Sequence, residues 1–331
     1  MRVGVVGAGL QANRRLAALG PNDEFVAVSA PSVDHVEQLI RRFGGVPADS
    51  WQELVRRDDV DAVIVASPPR SHRDISIAAL RSGKHVLCEK PLAASSADAT
   101  VMAEAAETAG RVLHCGFNHR FHPAIPRLRE LLEAGGYGPV LAVNGSYGHG
   151  IRPGYADEWR CDPAHVSGGQ LMEQGIHLVD LVDHMLGPVD RVVARLSRGF
   201  GLPADLEDDA HVLLDLRPGG VAFLRSSLAQ WRNRFWFEVT CLDATLRVSG
   251  LGGSYGVETL TVEPRTDGPF RRETVEFRGA DPSWNHEWQY FRALTGNSGA
   301  AVTDDAGRRA LAIVEAAYRS ATTDKWEEVD K

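Results

Sequence analysis

The first third of the chain alternates short apolar runs with stretches of helical period, and the remainder does not. Val3–Val6, Phe25–Val28, Asp61–Ala66, His85–Cys88 and Val112–Gly116 read as short buried strands. Between them Gln11–Ala18, Val33–Phe43, Trp51–Val55, His72–Arg81 and Ala97–Ala109 read as helices, several stopped by glycine at Gly20-Pro21, Gly44-Gly45, Gly83 and Gly110. Strand–helix alternation of this kind predicts a doubly wound parallel sheet covered by helices. After Asn118 the pattern changes. A helix over Ala124–Glu133 ends at Gly135-Gly136. Alternating stretches follow at Val140–Tyr147, Val189–Leu196, His211–Leu216, Val221–Ser227, Phe235–Cys241, Thr245–Val248, Glu258–Val262 and Glu273–Phe277. Strands joined by short turns predict a large, mainly antiparallel sheet with one open face. A helix over Gly169–Leu186 interrupts the run, and two more, Trp284–Thr295 and Asp304–Thr322, close it, the last with Thr303 as N-cap. The expected fold class is therefore α/β, with a boundary near Asn118–Pro123 that separates residues 1–119 from an α+β domain over 120–331.

Length and charge narrow the function. At 331 residues the chain exceeds the size at which one core keeps growing. A net charge of -8 disfavours nucleic acid or an anionic membrane as a partner. No apolar run approaches the roughly 20 residues of a spanning helix, and the glycine-broken start Met1-Arg2-Val3-Gly4-Val5-Val6 does not read as a signal peptide. Cys88, Cys115, Cys161 and Cys241 form no C-x-x-C pair; they read as buried thiols of a cytoplasmic protein.

The chemistry begins at Gly7-Ala8-Gly9-Leu10-Gln11-Ala12, which follows a strand and opens a helix. That context raises a G-x-G-x-x-G/A match to a Rossmann dinucleotide site. Gly7 permits the tight turn and Gly9 lets a pyrophosphate approach the helix N-terminus. The ribose end is less defined. The second strand ends Val28-Ser29-Ala30-Pro31-Ser32, with no acid until Asp34 to bind a 2′-hydroxyl. Arg14 and Arg15, one turn into the first helix, are candidates to meet a 2′-phosphate, so NAD and NADP both remain open. His114, His119 and His122 straddle a strand end without zinc-ligand spacing, and no metal site is expected.

Cys88-Glu89-Lys90-Pro91 closely resembles a motif of the Gfo/Idh/MocA family of sugar and cyclitol oxidoreductases. Further ordered matches are Ala66-Ser67-Pro68-Pro69-x-x-His72, Gly83-Lys84-His85-Val86, Gly116-Phe117-Asn118-His119-Arg120-Phe121-His122-Pro123, and Gly168-Gly169 through Asp180. The resemblance covers nearly the whole chain. It implies a nicotinamide-binding Rossmann domain and a second domain whose open sheet builds a homodimer or homotetramer. It implies Lys90, before a proline often in cis, and His177 as the catalytic pair. Bottom-up chemistry agrees, since hydride exchange at an alcohol carbon needs proton exchange and a cation for the developing alkoxide. A histidine near its ordinary pKa of roughly 6.5 suits that exchange, and Glu173 shares its helix face at i, i+4.

By the same resemblance Glu173, where the family more often has Asp, binds substrate, with His119, Arg120 and the loop residues Tyr155, Trp159 and Arg160. That loop is similar to one in members linked to nucleotide-sugar metabolism. The cofactor is assigned Gly7, Gly9, Leu10, Gln11, Ser29, Ser67, Pro68, His72, Glu89, Lys90 and Asn118. Asp180 is expected to be a structural partner. The activity implied is hydride transfer between NAD or NADP and a sugar, nucleotide-linked sugar or cyclitol. The alternatives are an NAD-assisted glycoside hydrolase acting through transient C3 oxidation and a non-catalytic dinucleotide sensor.

Overall fold

The computed structural model describes residues 1–203, 206–217, 219–296 and 305–330. Two compact units emerge, and the first begins with the alternation read from the sequence. It runs β1 (Arg2–Val6), α1 (Leu10–Ala17), β2 (Glu24–Ser29), α2 (Val33–Phe43), β3 (Val46–Pro47), α3 (Trp51–Arg56), β4 (Ala62–Val65), α4 (His72–Arg81), β5 (His85–Glu89), α5 (Ser96–Ala109) and β6 (Leu113–Gly116). The six strands are parallel, in the order β3-β2-β1-β4-β5-β6. Every residue of β4 is buried, as expected for a strand covered on both faces. Serine caps start the helices: the hydroxyls of Ser32, Ser50 and Ser95 accept from the backbone N–H of His35, Glu53 and Asp98. The short β3 is new. Its two residues are exposed, so no alternation marks it.

The second unit holds α6 (Ala124–Glu133), β7 (Val140–Gly150), α7 (Ile176–Leu186), β8 (Val189–Ser197), β9 (Asp209–Leu216), β10 (Val221–Ser227), β11 (Ala229–Cys241), β12 (Ala244–Ser249), β13 (Glu258–Pro264) and β14 (Glu273–Phe277). A nine-stranded sheet runs β14-β13-β12-β11-β7-β10-β9-β8 and ends on a two-residue edge strand, β15 (Glu327–Glu328). Only the β7–β10 pair is parallel among the described pairings. Residues 176–183 of α7 are all buried, and Leu178 packs toward Gly145 of β7. On β10 the residues alternate, so Ala222, Leu224 and Ser226 are buried while Val221 and Phe223 lie exposed on the open face.

The remaining helices divide in a way the boundary at 119/120 does not show. The first unit takes in residues 164–167, 284–296 and 305–308 as well as 1–118. The cause is apolar. Trp288 and Phe291 of α8 (Ser283–Gly296) are buried in the same core cluster as Val3, Val5, Ile64 and Leu87 of the parallel sheet. Trp288 Nε1 also donates to Asp23 Oδ2 at 2.7 Å. The last helix, α9, is described over Ala306–Thr323; Thr303 and Asp304, its expected start, lie outside the described residues.

Candidate active site

The first group of candidate residues belongs to the parallel-sheet unit. Gly7 adopts φ +107, and its N–H donates to Ser29 O at 2.9 Å. A Cβ there would stand 2.6 Å from the carbonyl carbon of Ala66, so both conformation and space demand glycine. Gly9 differs: it N-caps α1 with no side-chain cap, and no atom lies within 4 Å of where its Cβ would be. The first N–H groups of α1 therefore face an open cradle that suits a pyrophosphate. Leu10 is 60% exposed beside it, and the buried Oε1 of Gln11 has no hydrogen-bond partner.

At the ribose end β2 finishes on buried Ser29, and Ser32 is spent capping α2. One expectation fails here. Arg15 cannot meet a 2′-phosphate, because it is 1% exposed and ion-paired with Glu89 and Glu287. Arg14 lies over the Trp284 ring, 5.4 Å from its centroid.

The Lys90 turn is held on both sides. The Lys90-Pro91 bond is cis. Before it, Glu89 Oε1 accepts from Arg15 Nε at 2.7 Å. After it, Pro91 O lies 2.9 Å from His72 Nδ1, while His72 Nε2 lies 2.8 Å from Ser67 O. His72 thus buckles the end of β4 to the turn after β5. Burial depresses its pKa; the Ser67 and Pro91 carbonyls act against that. A neutral ring donates to only one of the two carbonyls at a time. Ser67 Oγ and Ser71 Oγ lie 2.7 Å apart, and Ser71 Oγ donates to Pro68 O at 2.7 Å. Of the expected cofactor residues, His72 and Glu89 are buried and bonded within the protein, and so support the loop from inside. Asn118 is buried after β6.

The second group belongs to the open-sheet unit. His119 and His177 stack, with ring centroids 3.9 Å apart and planes 30° from parallel. Tyr147 and Phe235 wall the stack, 5.0 and 5.7 Å from the His119 ring. The next residue makes a second link to the same helix. Arg120 Nε and Nη2 donate to Asp180 Oδ2 and Oδ1 at 2.8 and 2.7 Å. This bidentate pair ties the Arg120 fork to α7; the sequence reading assigns Arg120 to substrate and Asp180 to a structural role.

Glu173 sits in a π-turn, Leu171–Gly175, that leads into α7. The sequence reading has one continuous helix there. Such turns recur at functional sites. Glu173 Oε2 accepts from Tyr155 OH at 3.1 Å and Oε1 accepts from Arg160 Nε at 2.7 Å. Burial and the Glu173 charge both push the Tyr155 phenol up; burial opposes the charge on Arg160, but Glu173 more than compensates. Trp159 is 41% exposed, and the Arg160 guanidinium lies 4.6 Å from its ring centroid. The structure thus gathers Tyr155, Trp159, Arg160 and Glu173 into one cluster.

Glu207 was not foreseen. Its buried carboxylate accepts from Gly169 N–H, Leu171 N–H and Tyr318 OH at 3.1, 2.9 and 2.7 Å, pinning the start of the π-turn. Burial pushes its pKa up against those bonds. Only the glycine pair Gly168-Gly169 hinted at it, since a Cβ on Gly169 would strike Glu207.

The other histidines are placed individually. His114 Nε2 is 3.3 Å from Glu287, and His122 Nδ1 is 3.0 Å from Glu258. Among the described residues no group of three His, Cys, Asp or Glu has metal-site geometry.

A parallel sheet whose first strand feeds a glycine turn and an uncapped helix defines a dinucleotide-binding protein of the Rossmann class. The chain belongs to the GFO/IDH/MocA family: residues 1–117 match the oxidoreductase family with an NAD-binding Rossmann fold, and residues 125–253 match its C-terminal domain. It is 35% identical over 201 residues to a dTDP-3,4-didehydro-2,6-dideoxy-alpha-D-glucose 3-reductase of Streptomyces violaceoruber, covering 60% of this chain and 58% of that protein. A protein of the same name from Actinomadura kijaniata is 33% identical over 227 residues, 68% of this chain and 67% of its own length. Levoglucosan dehydrogenase in complex with NADH shares the fold over 100% of this chain and 99% of its own, with a TM-score of 0.89 at 21% identity.

Proposed function

We propose that this protein is an NAD(P)-dependent dehydrogenase or ketoreductase. It moves a hydride between the nicotinamide and the hydroxyl or keto carbon of a sugar, a nucleotide-linked sugar or a cyclitol. The observation that carries the reading is the Lys90 turn, fixed at Glu89 and Pro91 on either side, in the same unit as an open phosphate cradle at Gly9. The names of the relatives support the substrate class.

The nicotinamide, when bound, accepts or supplies the hydride. Gly7 shapes the turn, and the open cap at Gly9 with the first N–H groups of α1 would hold its pyrophosphate. The Lys90 ammonium stabilises the developing alkoxide. His177 exchanges the hydroxyl proton, its ring orientation set by the His119 stack. Glu173, anchored by Tyr155 and Arg160, accepts hydrogen bonds from substrate hydroxyls. Trp159 and Arg160 offer an apolar face and a planar cation to a sugar ring or phosphate.

The reading also assigns a homodimer or homotetramer formed through the open sheet face, where Val221 and Phe223 are exposed; light scattering in solution tests it, and a monomer refutes it. A cytoplasmic location is supported by four buried cysteine thiols. Among the described residues no helix is long and apolar enough to cross a membrane.

The test is a panel of sugars, cyclitols and nucleotide sugars with each cofactor, followed by absorbance. Stoichiometric gain or loss of NAD(P)H with one class supports the reading. Substrate cleavage without net cofactor change supports a hydrolase, and ligand binding without either supports a sensor.

A further inference from the structure

The parallel-sheet unit contains a buried charge cluster that the reaction itself does not require. Arg15 of α1 stands between two carboxylates, Glu89 at the end of β5 and Glu287 of α8, both almost completely buried. Glu287 also meets His114 of β6 at 3.3 Å, and the Trp284 ring lies 4.6 Å from the Arg15 guanidinium. Burial would favour a neutral guanidine, but Glu287 and Glu89 hold Arg15 charged; burial would raise Glu287, but Arg15 and His114 hold it low. Three segments far apart in sequence, α1, β5 and α8, therefore meet on one guanidinium, and β6 joins them through Glu287.

A buried ion cluster is weak support for stability, since apolar residues of equal volume often serve as well or better. What it adds is a fixed register. Here the register joins the helix behind the phosphate loop to the residue next to Lys90. Gly116 shows how tightly the guanidinium is seated: any Cβ there would collide with Arg15 Nη2.

We propose that Arg15 is a positioning residue for Lys90. It draws the Glu89 carboxylate inward and neutralises it, with Glu287 as its counter-anchor, so that the Lys90 turn is fixed and the charge of the residue before it is offset. The proposal rests on Lys90 being the working lysine, but its test does not use turnover.

The chain has only four lysines, Lys84, Lys90, Lys325 and Lys331. Competitive acetylation of the full chain with acetic anhydride, read peptide by peptide, gives the reactivity of Lys90 against Lys325. His72, bonded to Pro91 O, and Glu89, paired with Arg15, flank the turn, and His72 is left intact throughout. Arg15→Gln leaves Glu89 without its counter-charge beside Lys90. Acetylation of Lys90 then slows on the order of tenfold, the equivalent of one pKa unit, while Lys325 is unmoved. Adding Glu89→Gln restores the rate to within about twofold, which a purely structural role does not predict.

A folded Arg15→Gln protein with unchanged Lys90 reactivity overturns the proposal, as does slowing that Glu89→Gln fails to reverse. If Arg15→Gln does not fold, Gly116→Ala displaces the same guanidinium with every charge retained, and an unmoved Lys90 there is equally fatal. Failure of the catalytic reading would appear separately, as an active Lys90→Ala enzyme.

Discussion

Lys90 and Glu173 differ in what their loss does to a rate. Lys90→Ala removes a cation wanted mainly as charge develops on the alkoxide, so turnover falls on the order of 10²–10⁴ while NADH affinity, measured by fluorescence, barely moves. Near-wild-type turnover would reassign Lys90 to structure. Glu173 is anchored by Tyr155 and Arg160 through both oxygens. Glu173→Asp withdraws those oxygens by one methylene, loosening the cluster and the substrate together. KM rises more than kcat falls, the mark of lost ground-state binding; identical kinetics on every substrate would take Glu173 out of the site. The motifs that carry these residues were legible in the sequence. Their partners were not, because Tyr155 lies 18 residues from Glu173 and Asp180 lies 60 from Arg120. Nothing local in a sequence announces such pairs.

At the scale of elements, α8 carries the sharpest expectation. Trp288 is 2% exposed, packs in the core of the parallel-sheet unit and donates to Asp23. Trp288→Ala leaves a large cavity and costs about 3–5 kcal/mol in a urea titration of unfolding. A loss below about 1 kcal/mol would show that α8 is not part of that core. The helices and most strands could be read because each repeats a period over many residues. The edge strands β3 and β15 have two residues each, too few for a period. The π-turn at Leu171–Gly175 was hidden for a different reason: one extra residue per turn leaves the surrounding apolar run intact. The placement of α8 was hidden because amphipathic period tells that a face is buried, but not against what.

For the whole molecule, buried histidines give stability a pH dependence of definite sign. Burial holds His72 below its ordinary value of 6.5, and burial with Arg111 nearby does the same to His85. The unfolded chain therefore takes up protons first as pH falls through 6.5, and the folded state loses stability from there down toward the depressed values. Glu207, held above its ordinary range by burial, works in the opposite sense at lower pH, so the clean reading is a difference between variants. Melting temperature falls on acidification in the wild type and falls less steeply in His72→Gln. Parallel profiles would contradict this.

The central claim is hydride transfer to a sugar-like carbon, and isotope tracing tests it most directly. The protein is incubated with NADH deuterated at the transferable position and a panel of keto-sugars, nucleotide-linked keto-sugars and ketocyclitols, and products are analysed by mass spectrometry. The account predicts one deuterium on the carbinol carbon of the reduced product, formed stoichiometrically with NAD and lost in Lys90→Ala. No deuterated product from any class, with the cofactor bound and unconsumed, would contradict it.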